Sequence, residues 1–157
     1  MLMKVRVGID PGKSGGIVAL ADHSIGLVLN TINSWKNIEH AASIVKQLKD
    51  YGDVHALIEN VHAFPSDGRS SAFKFGHNAG CWEGILAANN ITYSKVVPHK
   101  WMSFYGEMPK DKQERKNHLK ALAQNILDRN GLPYRATLKN ADALLIAYYQ
   151  LRSEDEE

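Results

Sequence analysis

Short runs of β-branched and small apolar residues open the chain, and apolar residues at helical spacing fill most of its remaining length. Val5 to Asp10 reads as a first strand, Gly15 to Ala21 as a second and Ile25 to Thr31 as a third, the last two joined by a hairpin-like turn over Asp22 to Gly26. Asn33 to Asn37, with Trp35, reads as a helix entry. From Ile38 to Leu48 the residues Ile38, Ala41, Ala42, Val45 and Leu48 share one helical face, and Gly52 closes the helix. Val54 to Val61 is a fourth strand. Its nearly continuous apolar centre, Ala56 to Ile58, predicts burial on both faces. A polar segment from His62 to Arg69 leads into a long helix, Ser70 to Asn90. Ile91 to Val97 is a fifth strand stopped by Pro98, and Lys100 to Phe104 is a short turn or helix. Gly106 to Lys110 is a loop, and Lys112 to Arg129 and Leu138 to Leu151 are the closing helices. This order predicts the α/β class: a mixed five-stranded sheet with helices on both faces.

Two features depart from simple amphipathic patterning. Gly76, Gly80 and Gly84 recur at every fourth position of the long helix. Each costs ~1 kcal/mol relative to alanine, so the stripe implies close approach of another element: either the sheet beneath or a second copy of the helix across a two-fold interface. The other feature is acids at the ends of apolar elements. Asp10 closes the first strand, Glu59 closes the fourth, and Asp142 lies at the start of the last helix. For Asp142 alone, the favourable position near a helix N-terminus is sufficient explanation. For Asp10 it is not, because an unpaired buried carboxylate costs several kcal/mol, roughly. A metal, an amine or the backbone N–H groups of the turn from Gly12 to Gly16 should answer its charge. Gly12-Lys13-Ser14 resembles the end of a phosphate-binding loop. The glycine that motif requires five residues before Gly12 is Val7, so the P-loop is excluded.

Composition narrows the class without naming a function. With 157 residues, the chain suits one domain, taken as 1–152, followed by an acidic tail, 153–157, expected to fray. No apolar run approaches the ~20 residues of a membrane span, no signal-peptide pattern opens the sequence, and Cys81 is the sole cysteine. A reducing cytoplasm is therefore the expected location, with no membrane partner. The net charge of +2 is small, but seven basic residues face three acidic ones between Lys95 and Lys120. If the first and fourth strands are neighbours, the three acids converge at one end of the sheet. Clustered carboxylates of that kind are normally stabilised by hard divalent cations such as Mg²⁺, two of which, ~3.5–4 Å apart, can drive in-line phosphodiester cleavage.

Gly8-Ile9-Asp10-Pro11-Gly12, Ile58-Glu59-Asn60, the glycine-rich helix leading to Val97, Pro98 and Trp101, and Asn140 to Ala147 together resemble the RuvC-type Holliday-junction resolvases, most of all the compact versions carried by bacteriophages. The likeness spans nearly the whole chain in the same order. It implies an RNase H-like sheet of order 3-2-1-4-5, a homodimer, Mg²⁺ dependence with Mn²⁺ able to substitute, no small-molecule cofactor, and paired nicks in four-way or other branched DNA inside a bacterial or phage-infected cell. Asp10, Glu59 and Asp142 match three of the family's acidic ligands. Lys112 resembles its catalytic or phosphate-binding lysine, unless it is a solvated surface charge, and Lys100 or Lys116 could share that role. The family's fourth ligand, an Asp or His shortly before the last acid, is missing. Leu138, Lys139 and Asn140 stand there, so Asn140 could lend an amide oxygen to a metal, or Lys139 could replace a second cation's charge. Phe64 is a candidate for stacking at an opened crossover, or else a loop anchor. Lys13, Arg69, Lys74, Lys100, Lys112, Arg115 and Lys116 are candidate DNA contacts. The alternatives are a junction-binding protein that does not cut and an RNase H-like nuclease acting on RNA–DNA hybrids. An actin-like ATPase needs a second, duplicated domain, for which the chain has no room.

Overall fold

The computed structural model describes residues 3–21, 26–28 and 37–155. The turn and helix entry expected over 22–25 and 33–36, and the third strand beyond Val28, lie outside them. Five strands, β1 (Lys4–Asp10), β2 (Gly16–Ala21), β3 (Gly26–Val28), β4 (Asp53–Glu59) and β5 (Thr92–Val96), form one sheet in the order β3-β2-β1-β4-β5. β1 pairs antiparallel with β2 and parallel with β4, and β4 pairs parallel with β5. The mixed sheet and its strand order are those expected from the sequence.

Strand alternation explains why the central runs are apolar throughout. Val5, Val7, Ile9, Ile17, Ala19, Ala56 and Ile58 face one way, onto Val45 and Leu48 of α1 (Ile38–Leu48) and Trp82, Ile85 and Leu86 of α2 (Arg69–Ala88). Val18, Leu20, Leu57 and Val96 face the other way, onto Trp101 of α3 (Pro98–Ser103), Leu119, Ala123 and Ile126 of α4 (Lys112–Arg129) and Leu144 to Ala147 of α5 (Ala141–Asp155). Each face is sealed separately, with alternate residues of the same strands feeding both cores.

α5 makes the tightest approach. A Cβ on Gly8 would stand 2.0 Å from the carbonyl oxygen of Ala143 and 2.6 Å from the amide of Ala147, so the helix lies directly on the backbone of β1. At the far end, Glu154 accepts from Arg6 Nε at 2.9 Å and pairs with Lys4 Nζ at 3.1 Å. Burial pushes the Glu154 carboxyl up, but the bonds from Arg6 and Lys4 and their charges outweigh it and hold the group below its usual range. Two expectations are thereby corrected. The last helix runs to Asp155, and Glu154 is docked, so 153–155 are not a frayed tail. The glycine stripe of α2 does not pack on the sheet, since a Cβ at Gly76, Gly80 or Gly84 meets nothing within 4 Å.

These contrasts predict opposite outcomes for the same substitution. Gly8→Ala should cost about 3 kcal/mol, the upper end of the usual range for overpacking, because the atoms it meets are backbone. Gly84→Ala should stabilise the isolated protomer by up to about 1 kcal/mol through helix propensity. Urea unfolding midpoints at unchanged slope measure both.

Candidate active site

Parallel pairing of β1 with β4, in the register Ile9 to Ile58, brings the ends of both strands to the same edge of the sheet. Ile9 and Ile58 face α1 and α2, so Asp10 and Glu59, one residue further on, both turn toward the α5 face. α5 lies on Gly8 through Ala143, and Asp142 is the residue before it, at the Asp10 end. Three acids from three elements are brought to this edge, as the sequence suggests; Asp10 feels the charges of both others, and Glu59 that of Asp142. Asp10 is raised well above its usual value, first by burial and then by the charges of Glu59 and Asp142. Burial pushes Glu59 up to about 7, with an indole hydrogen bond opposing and Asp142 adding. Asp142 is pushed up to about 6 by burial, and the charge of Lys116 pulls it back.

Residues not singled out as functional in the sequence hold this arrangement. Trp101, fully buried in α3, donates Nε1–H to Glu59 Oε2 at 2.7 Å and fixes one carboxylate oxygen. Pro98 at the first turn of α3 was the available signal, because it sets the phase that swings Trp101, three residues on, beneath β4. Asn78 of α2, buried, accepts at Oδ1 from the amide of Gly12 at 2.9 Å and ties the turn after Asp10 to the opposite layer. Gly12 has φ +119°, and a Cβ on Gly15 would stand 1.8 Å from the Asp10 carbonyl oxygen, so the turn folds back over its own strand. The Gly12 amide goes to Asn78 and the Gly15 amide to the Gly12 carbonyl, leaving neither to answer the Asp10 charge.

The remaining candidates divide. Lys116 is the lysine whose charge reaches Asp142, and Lys112 lies exposed one turn earlier, at the start of α4. Lys13, Arg69, Lys74 and Lys100 are exposed. Arg115 donates Nη1–H to the carbonyls of Pro109 and Lys110, at 3.3 and 3.2 Å, which gives it a bracing role in the loop before α4. Phe64 is 68% exposed in a turn closed by the Asp67 carboxylate on its amide, so it does not anchor the loop to the core. Phe73 on α2 is equally exposed and was not anticipated.

Asn140 is a correction. It is 1% exposed, accepts at Oδ1 from the Thr137 amide at 2.8 Å and donates from Nδ2 to the Arg135 carbonyl at 3.2 Å. Its amide closes the turn that starts α5 at Ala141, three residues later than expected, and so is committed to the backbone in place of a metal. Among the described residues no three Asp, Glu, His or Cys side chains are drawn tightly enough together to hold an ion as they stand. The donor chemistry still fits a hard divalent cation: three carboxylates, all discouraged from ionising by burial.

A mixed sheet of this order, with helices on both faces and α5 laid along β1, defines an RNase H-like fold. Among solved structures of that shape, RuvC of T. thermophilus in complex with a Holliday junction substrate matches 97% of this chain and 96% of its own, with a TM-score of 0.61 and 18% identity. A second Thermus thermophilus RuvC structure matches with a TM-score of 0.60 and 20% identity over the same shares. No protein-family model matches the sequence, and no curated protein matches it. No helix among the described residues is long and apolar enough to cross a membrane.

The raised carboxyls make stability fall as pH rises. A group with a higher pKa folded than unfolded binds its proton more tightly in the native state, so its contribution is complete below pH 4 and lost on passing about 7 for Glu59 and about 6 for Asp142. The melting temperature in EDTA should drop by several degrees between pH 5 and pH 8. Mg²⁺ should raise it at pH 8 far more than at pH 5, and Glu59→Gln should flatten both trends in scanning fluorimetry.

Proposed function

We propose that the chain is a metal-dependent endodeoxyribonuclease that resolves four-way or otherwise branched DNA, acting as a homodimer. The observation that carries the reading is the convergence of Asp10, Glu59 and Asp142 on one sheet edge, in a fold shared end to end with RuvC. Mg²⁺ or Mn²⁺ bound there would supply an activated water and neutralise charge on the leaving oxygen. The chain's own contributions are distinct. Asp10 and Asp142 offer oxygens from a strand end and a helix start, whose relative position Gly8 fixes. Glu59 offers the oxygen that Trp101 leaves uncommitted. Lys116 lies where its ammonium both lowers the Asp142 pKa and can hold a phosphate, with Lys112 a turn away. Lys13, Arg69, Lys74 and Lys100 would bind the backbone with the salt dependence of counterion release, and Phe64 would stack at an opened base step.

The open glycine stripe of α2 supports the two-fold interface over internal packing, because glycine there leaves room that nothing among the described residues fills. A second reading, a junction-binding protein that does not cut, is favoured by one observation: the position two residues before the last acid holds an asparagine turned into a backbone cap.

The test is cleavage of a labelled four-way junction in Mg²⁺ and in Mn²⁺, beside matched duplex and RNA–DNA hybrid. Paired nicks confined to the junction are expected. Asp10→Asn should lose them by at least about 10³-fold while junction binding persists, and Gly80→Leu should remain folded but sediment as a monomer that no longer makes paired cuts. Tight binding without cutting in either metal would establish the second reading, and hybrid cleavage without junction preference would make the chain a ribonuclease.

A further inference from the structure

A groove of about 720 Å³ runs between the middle of α4 and the segment 135–138 that leads into α5. Asn117, Lys120, Gln124, Arg135, Thr137 and Leu138 line it. The segment is pinned to the helix. Gln124 uses both ends of its amide, accepting from the Ala136 N–H at 2.9 Å and donating to Asp128 at 2.9 Å. Asn140 closes the far end of the segment on the Thr137 amide and the Arg135 carbonyl. The two walls are therefore set before any ligand arrives.

The polar groups left over inside can only donate. Thr137 Oγ1 accepts from the amides of Lys139 and Asn140, both at 3.2 Å, which fills its two acceptor positions and leaves its O–H to give. Asn117 Oδ1 accepts from Gln113 Nε2 at 3.3 Å, leaving the Asn117 NH₂. Lys120 and Arg135 are exposed and carry donors alone. No described acidic side chain lines the groove. Along α4, Glu114 lies about 9 Å before Lys120 and Asp128 about 12 Å after it. The acids outside the described residues follow Ala21 and Asp155 in sequence. Ala21 pairs with Val5, and Glu154, beside Asp155, is bound to Arg6, so both positions are at the end of the sheet remote from Asp10.

The groove also continues a row of cations that starts at the acids. Lys112, Lys116 and Lys120 recur at every fourth residue of α4, about 6 Å apart along the helix. Lys116 is the one whose charge reaches Asp142, and Lys120 is the next. A donor-only channel on that line suits phosphodiester oxygens, which only accept. No aromatic ring lines it, so an unpaired base would find nothing to stack on. The backbone of paired DNA is the occupant that uses everything the groove offers.

We infer that this groove seats one duplex arm of a branched DNA, with phosphates of a single strand on Lys120 and Arg135 and with Asn117 and Thr137 donating beside them. The inference rests on the chain being a DNA-binding protein and not on its cutting DNA. A seat that touches only the backbone carries no sequence information; it fixes the direction in which the arm leaves the acidic edge.

Anisotropy of a fluorescein-labelled four-way junction with the full chain, in EDTA, tests it. Lys120→Gln with Arg135→Gln should weaken binding at least about tenfold and reduce the slope of log affinity against log salt by about 1.8 for each protomer engaged, the share of two duplex phosphates. The charge-preserving pair Lys120→Arg and Arg135→Lys should stay within about threefold of wild type. Uncharged methylphosphonate linkages, scanned along the arms, should weaken wild-type binding at a few neighbouring positions and have no further effect there in the glutamine pair. The seat is refuted if the glutamine pair binds as wild type, or if the same linkages stay sensitive in it. It is equally refuted if the glutamine pair loses as much affinity for single-stranded oligothymidylate as for the junction, which would make the groove a path for an unpaired strand. Displacement of the junction by polyglutamate as effectively as by unlabelled duplex of matched charge would refute it in favour of acidic peptides. Failure of the wild type to bind the junction at all would overturn the DNA-binding reading itself, and absence of cleavage with these results intact would overturn the nuclease reading alone.

Discussion

The contact of α5 with the bare backbone of Gly8 sets the geometry on which the rest depends. Without a Cβ at that position, Ala143 and Ala147 reach the strand itself, and the helix runs antiparallel along β1. The two ends of the contact match in length. From Asp10 to Lys4 the strand covers about 20 Å, and from Asp142 to Glu154 the helix covers about 18 Å. Asp142 therefore falls beside Asp10 when Glu154 falls beside Arg6 and Lys4. A one-residue shift would rotate Asp142 away by about 100° and break the ion pairs at the other end. The Arg6–Glu154–Lys4 cluster is thus as much a register lock as a source of stability. Arg6 is buried and Glu154 and Lys4 are mostly covered, so removing Glu154 would leave a buried guanidinium short of a partner.

This register has an electrostatic cost at the acidic edge. Burial raises all three carboxyls, and neighbouring acids add to the shifts of Asp10 and Glu59, so the protein alone supports their charge poorly. The surroundings do little to relieve it. The turn amides of Gly12 and Gly15 are engaged elsewhere, and single interactions from Trp101 and Lys116 oppose the shifts of Glu59 and Asp142. A divalent cation held at this edge would offset that cost. Asn78 and Trp101 anchor the edge from opposite layers, so the two cores, otherwise separate, meet there.

Much of this was legible in the sequence, for physical reasons that differ by element. The central strands announced themselves because both of their faces are buried, leaving runs of β-branched residues that only a turn could stop. The three acids stood out because each terminates an apolar element, where a carboxylate has no packing role. What stayed hidden depended on contacts between distant segments. A stripe of three glycines looks the same whether it meets a sheet or open space, and only the tertiary arrangement separates the two. Asn140 has the chemistry of a weak metal ligand and of a turn cap, and local backbone geometry decided for the cap. Glu154 reads as part of a solvated tail because its partners, Arg6 and Lys4, are almost the full chain length away. Lys112 and Lys116 are a helical turn apart, which spacing to a motif cannot resolve; the charge of Lys116 reaches Asp142.

The charge pattern separates holding a polyanion from acting on it. The chain carries little net charge, yet Lys13, Arg69, Lys74, Lys100, Lys112 and Lys116 are its exposed or edge-facing cations on the elements that border the acids. A phosphate backbone is attracted by such a rim and repelled by its centre, so without a cation at Asp10, Glu59 and Asp142 the strand is held near the acids but not against them. Neutralising the centre then changes the reaction far more than the affinity. On the proposed reading, an asparagine at 140 that is committed to the backbone would weaken the chemistry without touching the cations that would hold DNA. Under the proposed function, recognition would be spread over many weakly coupled cations, whereas cleavage would depend on the three acids together.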